Sequence, residues 1–150
     1  LEQTFWRTFL ANSPLLPGVI ELLNESKDLN ILIAIVTDLT ANIQMRKMTH
    51  FNLEETFDAF VTSEEVGLDK PFKKNFELVL KKLGLKTNNN IWMVGDNPET
   101  DIIGGKAIGA VTFQKIFKKE DIGKGDYKPD FIFNSFSDLK NLVISCSEKF

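Results

Sequence analysis

Two short apolar runs, Ile31-Leu32-Ile33-Ala34-Ile35-Val36 and Ile91-Trp92-Met93-Val94, constrain this chain more than any other feature. Neither alternates apolar with polar residues, and both are bounded by polar stretches. That is the pattern of strands buried on both faces, which belongs to parallel sheets covered by helices on each side. Helical spacing fills the intervals. An amphipathic helix carrying Phe5, Trp6, Phe9 and Leu10 is broken by Pro14 and Pro17-Gly18, and a second is expected from about Val19 to Lys27. Further helices are expected over Ala41–Thr49, Lys73–Leu83 (closing at Gly84) and Thr100–Ile108, with strands at Ala59–Thr62, Ala110–Phe113 and Phe131–Phe133. Ser137 is expected to cap a last helix containing Asp138, Leu139, Leu142 and Val143. Strands alternating with helices give an α/β fold, a doubly wound parallel sheet of Rossmann-like form.

Composition narrows the function classes. The 150 residues carry 18 basic and 21 acidic side chains, a net charge of −3, which argues against a nucleic-acid or membrane-surface partner. Spanning a bilayer takes about 20 apolar residues, far more than the six of Ile31–Val36. Cys146 is the single cysteine, so no internal disulfide is possible and a cytoplasmic setting is the simpler expectation.

In a doubly wound sheet, ligands bind beyond the carboxyl ends of the strands. Three kinds of chemistry stand there. Thr37-Asp38 offers a hydroxyl and free backbone amides, Lys70 a cation, and Gly95-Asp96-Asn97-Pro98-Glu99-Thr100-Asp101 two carboxylates. A hard cation such as Mg²⁺ takes oxygen ligands, one or two of them carboxylates, and Asp96 and Asp101 can offer those. Lys70 would neutralise a phosphoryl oxygen or an attacking carboxylate, and Thr37 would donate a hydrogen bond to the phosphoryl group. Taken singly, Asp96 or Asp101 would serve equally well as a helix cap, and Lys70 as a surface lysine.

In this order and setting the residues resemble the haloacid dehalogenase superfamily. Ile33-Ala-Ile-Val-Thr-Asp, preceded by Leu16-Pro-Gly-Val-Ile-Glu-Leu-Leu, resembles its second motif, with Thr37 as the phosphate-binding hydroxyl. Ser63-Glu-Glu-Val-Gly-Leu-Asp-Lys-Pro resembles the third, with Lys70 as its lysine. Met93-Val-Gly-Asp-Asn-Pro-Glu-Thr-Asp-Ile-Ile-Gly-Gly-Lys-Ala-Ile-Gly-Ala resembles the fourth, with Asp96 a metal ligand and Asp101 a metal or metal-water partner. The resemblance covers about Leu1 to Phe133. It implies Mg²⁺-dependent hydrolysis of a small phosphorylated substrate through an aspartyl-phosphate, with Thr37, Asp38 and Lys70 on the phosphoryl group. Dehalogenase chemistry is disfavoured by Gly95-Asp96, which metal-free members lack.

The family's first motif, a strand ending Asp-x-Asp that carries the nucleophile, has no match in this chain. Asp38-Leu39-Thr40 is a poor substitute, with Thr40 where a second carboxylate would stand. By resemblance the absent strand lies at the centre of the sheet, between the strands ending at Thr37 and Asp96. Residues 14–150 are therefore expected to form a core lacking its central N-terminal strand, and residues 1–13 the remnant of a cap-domain helix. A missing N-terminal segment or another chain would complete the sheet. The isolated chain is expected to be inactive, and a non-catalytic remnant or complementing half, binding phosphate, metal or a protein partner, is the alternative. A phosphoacceptor receiver domain is disfavoured by order, because Thr37 and Lys70 precede Asp96. Gly104, Gly105 and Gly109 are expected to serve close packing, Glu64 and Glu65 a solvated face, and His50, Trp6 and Trp92 structural roles.

Overall fold

Alternating apolar segments and capped helices fold as a run of βα units. The structure, a computed structural model, describes residues 2–87 and 90–148, with the backbone alone for Glu2, Gln3, Thr4 and Trp6. The structural role expected of Trp6 thus falls outside the described side chains. In chain order the elements are α1 (Glu2–Ala11), α2 (Val19–Asp28), β1 (Ala34–Thr37), α3 (Ala41–His50), β2 (Ala59–Thr62), α4 (Ser63–Val66) and α5 (Lys73–Lys82). Then come β3 (Trp92–Gly95), a π-helical turn (Pro98–Ile102) running into α6 (Ile103–Ala107), β4 (Val111–Lys115), β5 (Phe131–Phe133) and α7 (Phe136–Ser147). None of the described helices is long and apolar enough to cross a membrane.

All strand pairs are parallel, as helical crossovers require. They form two sheets rather than one. β1 pairs with β2, Thr37 standing opposite Thr62, and β3-β4-β5 form the other sheet, with Gly95 opposite Gln114 and Lys115 opposite Phe133. Among the described residues β1 and β3 share no ladder. The burial follows from this. Ala34, Ile35 and Val36 of β1 are half-buried and Val94 of β3 is 39% exposed, whereas Val61, Thr112 and Gln114 on the neighbouring strands are wholly buried. The two apolar runs are less buried than expected because each leaves one long edge unpaired among the described residues, the gap lying where the expected sheet lacks its central strand.

Helices hold the two sheets in one layer. On one face Phe76 and Leu80 of α5 pack with Ile108 and Ala110, and both Val36 of β1 and Met93 of β3 lie against that cluster. Gly104 is required there, since a Cβ at its position would overlap the Phe76 ring, and one at Gly105 would meet the Met93 side chain. Gly109, by contrast, has a φ of 74° and a Cβ there would meet only the Thr87 carbonyl oxygen, at an ordinary 3.8 Å, so its role is to end the helix. On the other face Leu22 of α2 and Trp92 of β3 join Phe113, Phe133 and Leu139, with the Trp92 and Phe113 rings 4.5 Å apart. Met93 and Trp92 thus face opposite helical layers, as successive strand residues must.

Local differences from expectation have local causes. β1 starts at Ala34, not Ile31, because Ile31 continues the turn out of α2 through a 2.8 Å bond from its N–H to the Ser26 carbonyl, leaving Ile31 and Leu32 exposed. Ile33 is tied to Asp58 at both N–H and C=O. The cap of α7 is Ser135, whose Oγ accepts from the Asp138 N–H at 3.1 Å, and not Ser137. The segment expected to start a helix at Thr100 begins instead as the π turn.

A brace between buried Thr112 and exposed Asp130 ties β4 to the turn before β5. The Asp130 carboxylate accepts from the Thr112 N–H at 2.8 Å and its hydroxyl at 2.7 Å, while the Asp130 N–H donates to the same hydroxyl oxygen at 3.0 Å. These bonds, the Thr112 hydroxyl first, hold the Asp130 carboxyl below its ordinary pKa. A depressed carboxylate adds stability that is present above the unfolded-state pKa and lost as pH falls through the folded one. Asp130→Ala is therefore expected to lower urea stability by about 1–3 kcal/mol at neutral pH, with the gap to wild type closing below about pH 4. Phe76→Ala is expected to cost about 3–5 kcal/mol, because it empties the cluster that both sheets share.

Candidate active site

The turns after β1, β2 and β3 meet through one continuous chain of polar contacts. Thr37, the last residue of β1, is buried, and its hydroxyl oxygen accepts from the Leu39 N–H at 3.3 Å and from the Gln44 Nε2 of α3 at 2.7 Å. Thr40 caps α3 by accepting from the Ile43 N–H, and Glu64 accepts from the Ala41 N–H. Asp38 reaches across to the next loop, where its Oδ1 accepts from the Lys70 N–H at 2.7 Å, and its carbonyl accepts from the Ser63 hydroxyl. Glu64 and Glu65 are exposed, as expected, yet each has a partner: Glu65 pairs with Lys82 at 2.8 Å.

Lys70 then turns towards the β3 side. Its Nζ lies 2.6 Å from Asp101 Oδ1, with the two side chains only 14% and 6% exposed. Asp101 Oδ2 accepts from the N–H groups of Asp96 and Asn97, both at 3.1 Å. The π turn makes this possible. Asn97 accepts from the Glu99 N–H through its side chain, Pro98 follows with no N–H to leave unpaired, and the widened turn swings Asp101 back beneath the loop. Gly95 completes the fit, since a Cβ there would overlap the Asp101 carboxylate.

Asp96 has the opposite character. Its carboxylate is exposed and makes no hydrogen bond among the described residues, while its backbone is fixed at both ends. The N–H goes to Asp101, and the carbonyl accepts from Gln114 Nε2 at 3.1 Å. Gln114 is wholly buried; its Nε2 also donates to the Asp121 carbonyl at 2.6 Å, and its Oε1 accepts from the Gly123 N–H at 3.0 Å. Beside Asp96 an open hollow of about 270 Å³ is lined by Asn97, Pro98, Lys115, Phe117 and Asp121.

Of the five residues singled out from the sequence, Asp38, Lys70, Asp101 and the backbone of Asp96 are joined by one run of hydrogen bonds, and Thr37 adjoins it through the chain, its hydroxyl being bonded to Leu39 and Gln44. Their geometry differentiates them. Asp96 fits the role of a ligand to a hard cation, being an exposed carboxylate with free lone pairs. Asp101, expected as a metal or metal-water partner, has its Oδ1 on Lys70 and its Oδ2 on two backbone N–H groups, so its carboxylate shapes the loop and orients the lysine. Among the described residues no group of three acidic, histidine or cysteine side chains is gathered tightly enough to hold a metal alone. Gln44 and Gln114 were not legible beforehand. A lone amide in the otherwise apolar run Val111-Thr112-Phe113 was the available signal for Gln114, and none pointed to Gln44.

Comparison with known proteins places this geometry in a family. Residues 5–122 match the haloacid dehalogenase-like hydrolases, and the chain belongs to that family. It is 37% identical over 112 residues to the ribulose-1,5-bisphosphate 5-phosphatase of Halopiger xanaduensis, an alignment covering 75% of this chain and 46% of that protein. It is 32% identical to the glyceraldehyde 3-phosphate phosphatase of Methanocaldococcus jannaschii, covering 85% of this chain and 55% of the relative. Its fold is similar to that of a phosphatase of the same superfamily from Thermococcus onnurineus, with a TM-score of 0.82 at 22% identity over 95% of this chain and 64% of that one. The chain spans about half the length of the curated relatives it matches. Phosphatases thus recur among its relatives.

The near-buried pair generates a stability test. Removing one partner of such a pair costs about 3–5 kcal/mol, while removing both costs less than the sum. Asp101→Asn and Lys70→Met are each expected to destabilise the fold by a few kcal/mol, and the double variant by clearly less than the two together. Urea titrations of the four proteins check this; strict additivity would show that the pair is not coupled.

Proposed function

We propose that this chain is part of a Mg²⁺-dependent phosphomonoesterase acting on small phosphorylated metabolites in the cytoplasm. The observation that carries the reading is the network joining Asp38, Lys70, Asp101 and the Asp96 backbone between the carboxyl ends of β1 and β3, with Thr37 next to it in the chain. The names of the curated relatives support the substrate class, since they act on phosphorylated three- and five-carbon compounds or related esters.

Each residue takes a chemical task. Asp96 would hold the metal together with carboxylates from outside this chain, and a bound Mg²⁺ would withdraw charge from a phosphoryl oxygen. The hydroxyl of Thr37 and the backbone N–H of Asp38 would donate to phosphoryl oxygens. Lys70, aimed by Asp101, would neutralise the charge that gathers between an attacking carboxylate and the phosphoryl group. The nucleophilic aspartate would arrive on an extended segment seated between β1 and β3. The unpaired edges and half-exposed apolar residues of both strands support such an occupant. It would come from a segment preceding Leu1 or from another chain, and α1, whose Phe9 ring lies under the Lys47 ammonium at 5.9 Å, would be the last helix of a cap.

The test is a phosphatase screen of this chain joined to the segment encoded upstream, on sugar phosphates, triose phosphates and nucleotides, with and without Mg²⁺. Turnover is expected only with the metal. Asp96→Asn and Lys70→Met should each lower kcat/KM by about 10²–10³-fold, the scale of losing one group that stabilises transition-state charge. Absence of turnover on every ester, with an upstream segment containing no Asp-x-Asp strand, would leave the non-catalytic reading in its place.

A further inference from the structure

The Thr37 hydroxyl is held by a residue that neither the motifs nor the comparisons single out. A hydroxyl has one hydrogen to donate and two lone pairs to accept with. At Thr37 both lone pairs are taken. The Leu39 N–H points at Oγ1 from 3.3 Å and the Gln44 side-chain amide from 2.7 Å, so the hydroxyl hydrogen is the group's one remaining function. We propose that Gln44 is a positioning residue for phosphate binding: by donating to Thr37 it leaves that hydroxyl able only to donate, which is the polarity a phosphoryl oxygen requires. This rests on the reading of Thr37 as a phosphate-binding residue.

The surroundings make the arrangement a built one. Gln44 lies one turn into α3, whose start is fixed against the end of β1 by the Thr40 cap and by the bond from Ala41 to Glu64. Leu39 follows Thr37 by two residues, so its N–H is delivered by the same turn. The side chain of Gln44 is half-buried, and its 2.7 Å contact is the shorter of the two on Thr37. Polarity is the essence of the device. An acceptor in the place of the Gln44 N–H would take the Thr37 hydrogen for itself, and phosphate would then face a hydroxyl lone pair, which repels it.

Two substitutions separate this from general effects of charge or packing. Gln44→Met removes the donor with little change of shape, and Gln44→Glu replaces the donor by an acceptor. The measurement is binding of inorganic phosphate, followed by ³¹P NMR and calorimetry on the chain carrying its upstream segment, with thermal unfolding of each variant recorded alongside. Thr37→Val is expected to weaken phosphate about tenfold, Gln44→Met a few-fold and Gln44→Glu at least tenfold, from the worth of a hydrogen bond to a charged group. The deciding result comes from the Thr37→Val background. There both Gln44 changes are expected to shift affinity by less than about twofold, because their effect travels through the hydroxyl that is gone. Equal penalties in both backgrounds would reduce Gln44 to a source of charge or packing and overturn the proposal. So would wild-type affinity in Gln44→Glu, which would mean that the Gln44 carbonyl, not its N–H, faces Thr37. If wild-type protein binds no phosphate, or Thr37→Val binds it unchanged, the phosphate reading itself falls and the proposal with it.

Discussion

Phe76 carries a load that a single core residue seldom carries, because it lies where two sheets meet without touching. β1 and β3 exchange no hydrogen bonds, so nothing in the ladders sets their separation. What sets it is the α5 cluster, with Val36 on one side and Met93 on the other, and on the opposite face the contact of α2 with the β3-β4-β5 sheet through Leu22. Interiors packed to crystal-like density are rigid, so side chains can hold a spacing that hydrogen bonds do not. The absence of a Cβ at Gly104 is part of that mechanism, since it lets the Phe76 ring approach α6 closely.

The site inherits its geometry from this spacing. Lys70 leaves the loop that follows α4, on the β1-β2 side, and Asp101 follows β3, yet their charges lie 2.6 Å apart. A long flexible lysine could tolerate some variation, but Asp101 could not. Its second oxygen is fixed by two backbone N–H groups, and it sits in the space that the missing Cβ of Gly95 leaves. One carboxylate therefore defines the shape of the Asp96 loop and the aim of Lys70 together. This explains why the two acidic residues of one short motif have such different surroundings. Asp96 is exposed with its lone pairs free, and Asp101 is buried with its oxygens satisfied, as a nearly buried charge must be.

Much of this was legible in the sequence, for reasons that differ by residue. The unalternated apolar runs disclosed parallel strands, and the position of Thr37 and Asp96 just beyond such runs pointed to the loops that meet at the candidate site, because both follow from chain-local patterns. What was not legible depends on encounters between distant segments. The bond from Lys70 N–H to Asp38 spans 32 residues, and that from Gln114 to the Asp96 carbonyl spans 18. Nothing at Gln44 or Gln114 distinguishes a buried amide with fixed partners from an ordinary polar residue until the neighbours are known. The exposure of Val94 had the same origin, since an apolar run reports what a strand is suited to and not whether a neighbour lies beside it.

An occupant of the gap between β1 and β3, as proposed, would couple folding to chemistry. An extended segment between β1 and β3 would pair the backbone groups of both edges and shield Ile35, Val36, Met93 and Val94 from water, a gain in hydrogen bonding and in apolar burial at once. The same segment, if it ends beside Thr37 and Asp96, would bring its last residues to the point where the Lys70–Asp101 pair already bridges the two sheets. The carboxylates it carried would meet the Lys70 ammonium and the free carboxylate of Asp96, on a loop whose shape Asp101 already holds through the Asp96 and Asn97 N–H groups. The energy that seats such a strand is thus separate from the groups that act at its end: apolar contacts along its length would supply the affinity, and a site assembled by other loops would supply the chemistry. That separation lets the apolar edges vary with little effect on the polar network, while a change at Asp101 reaches both.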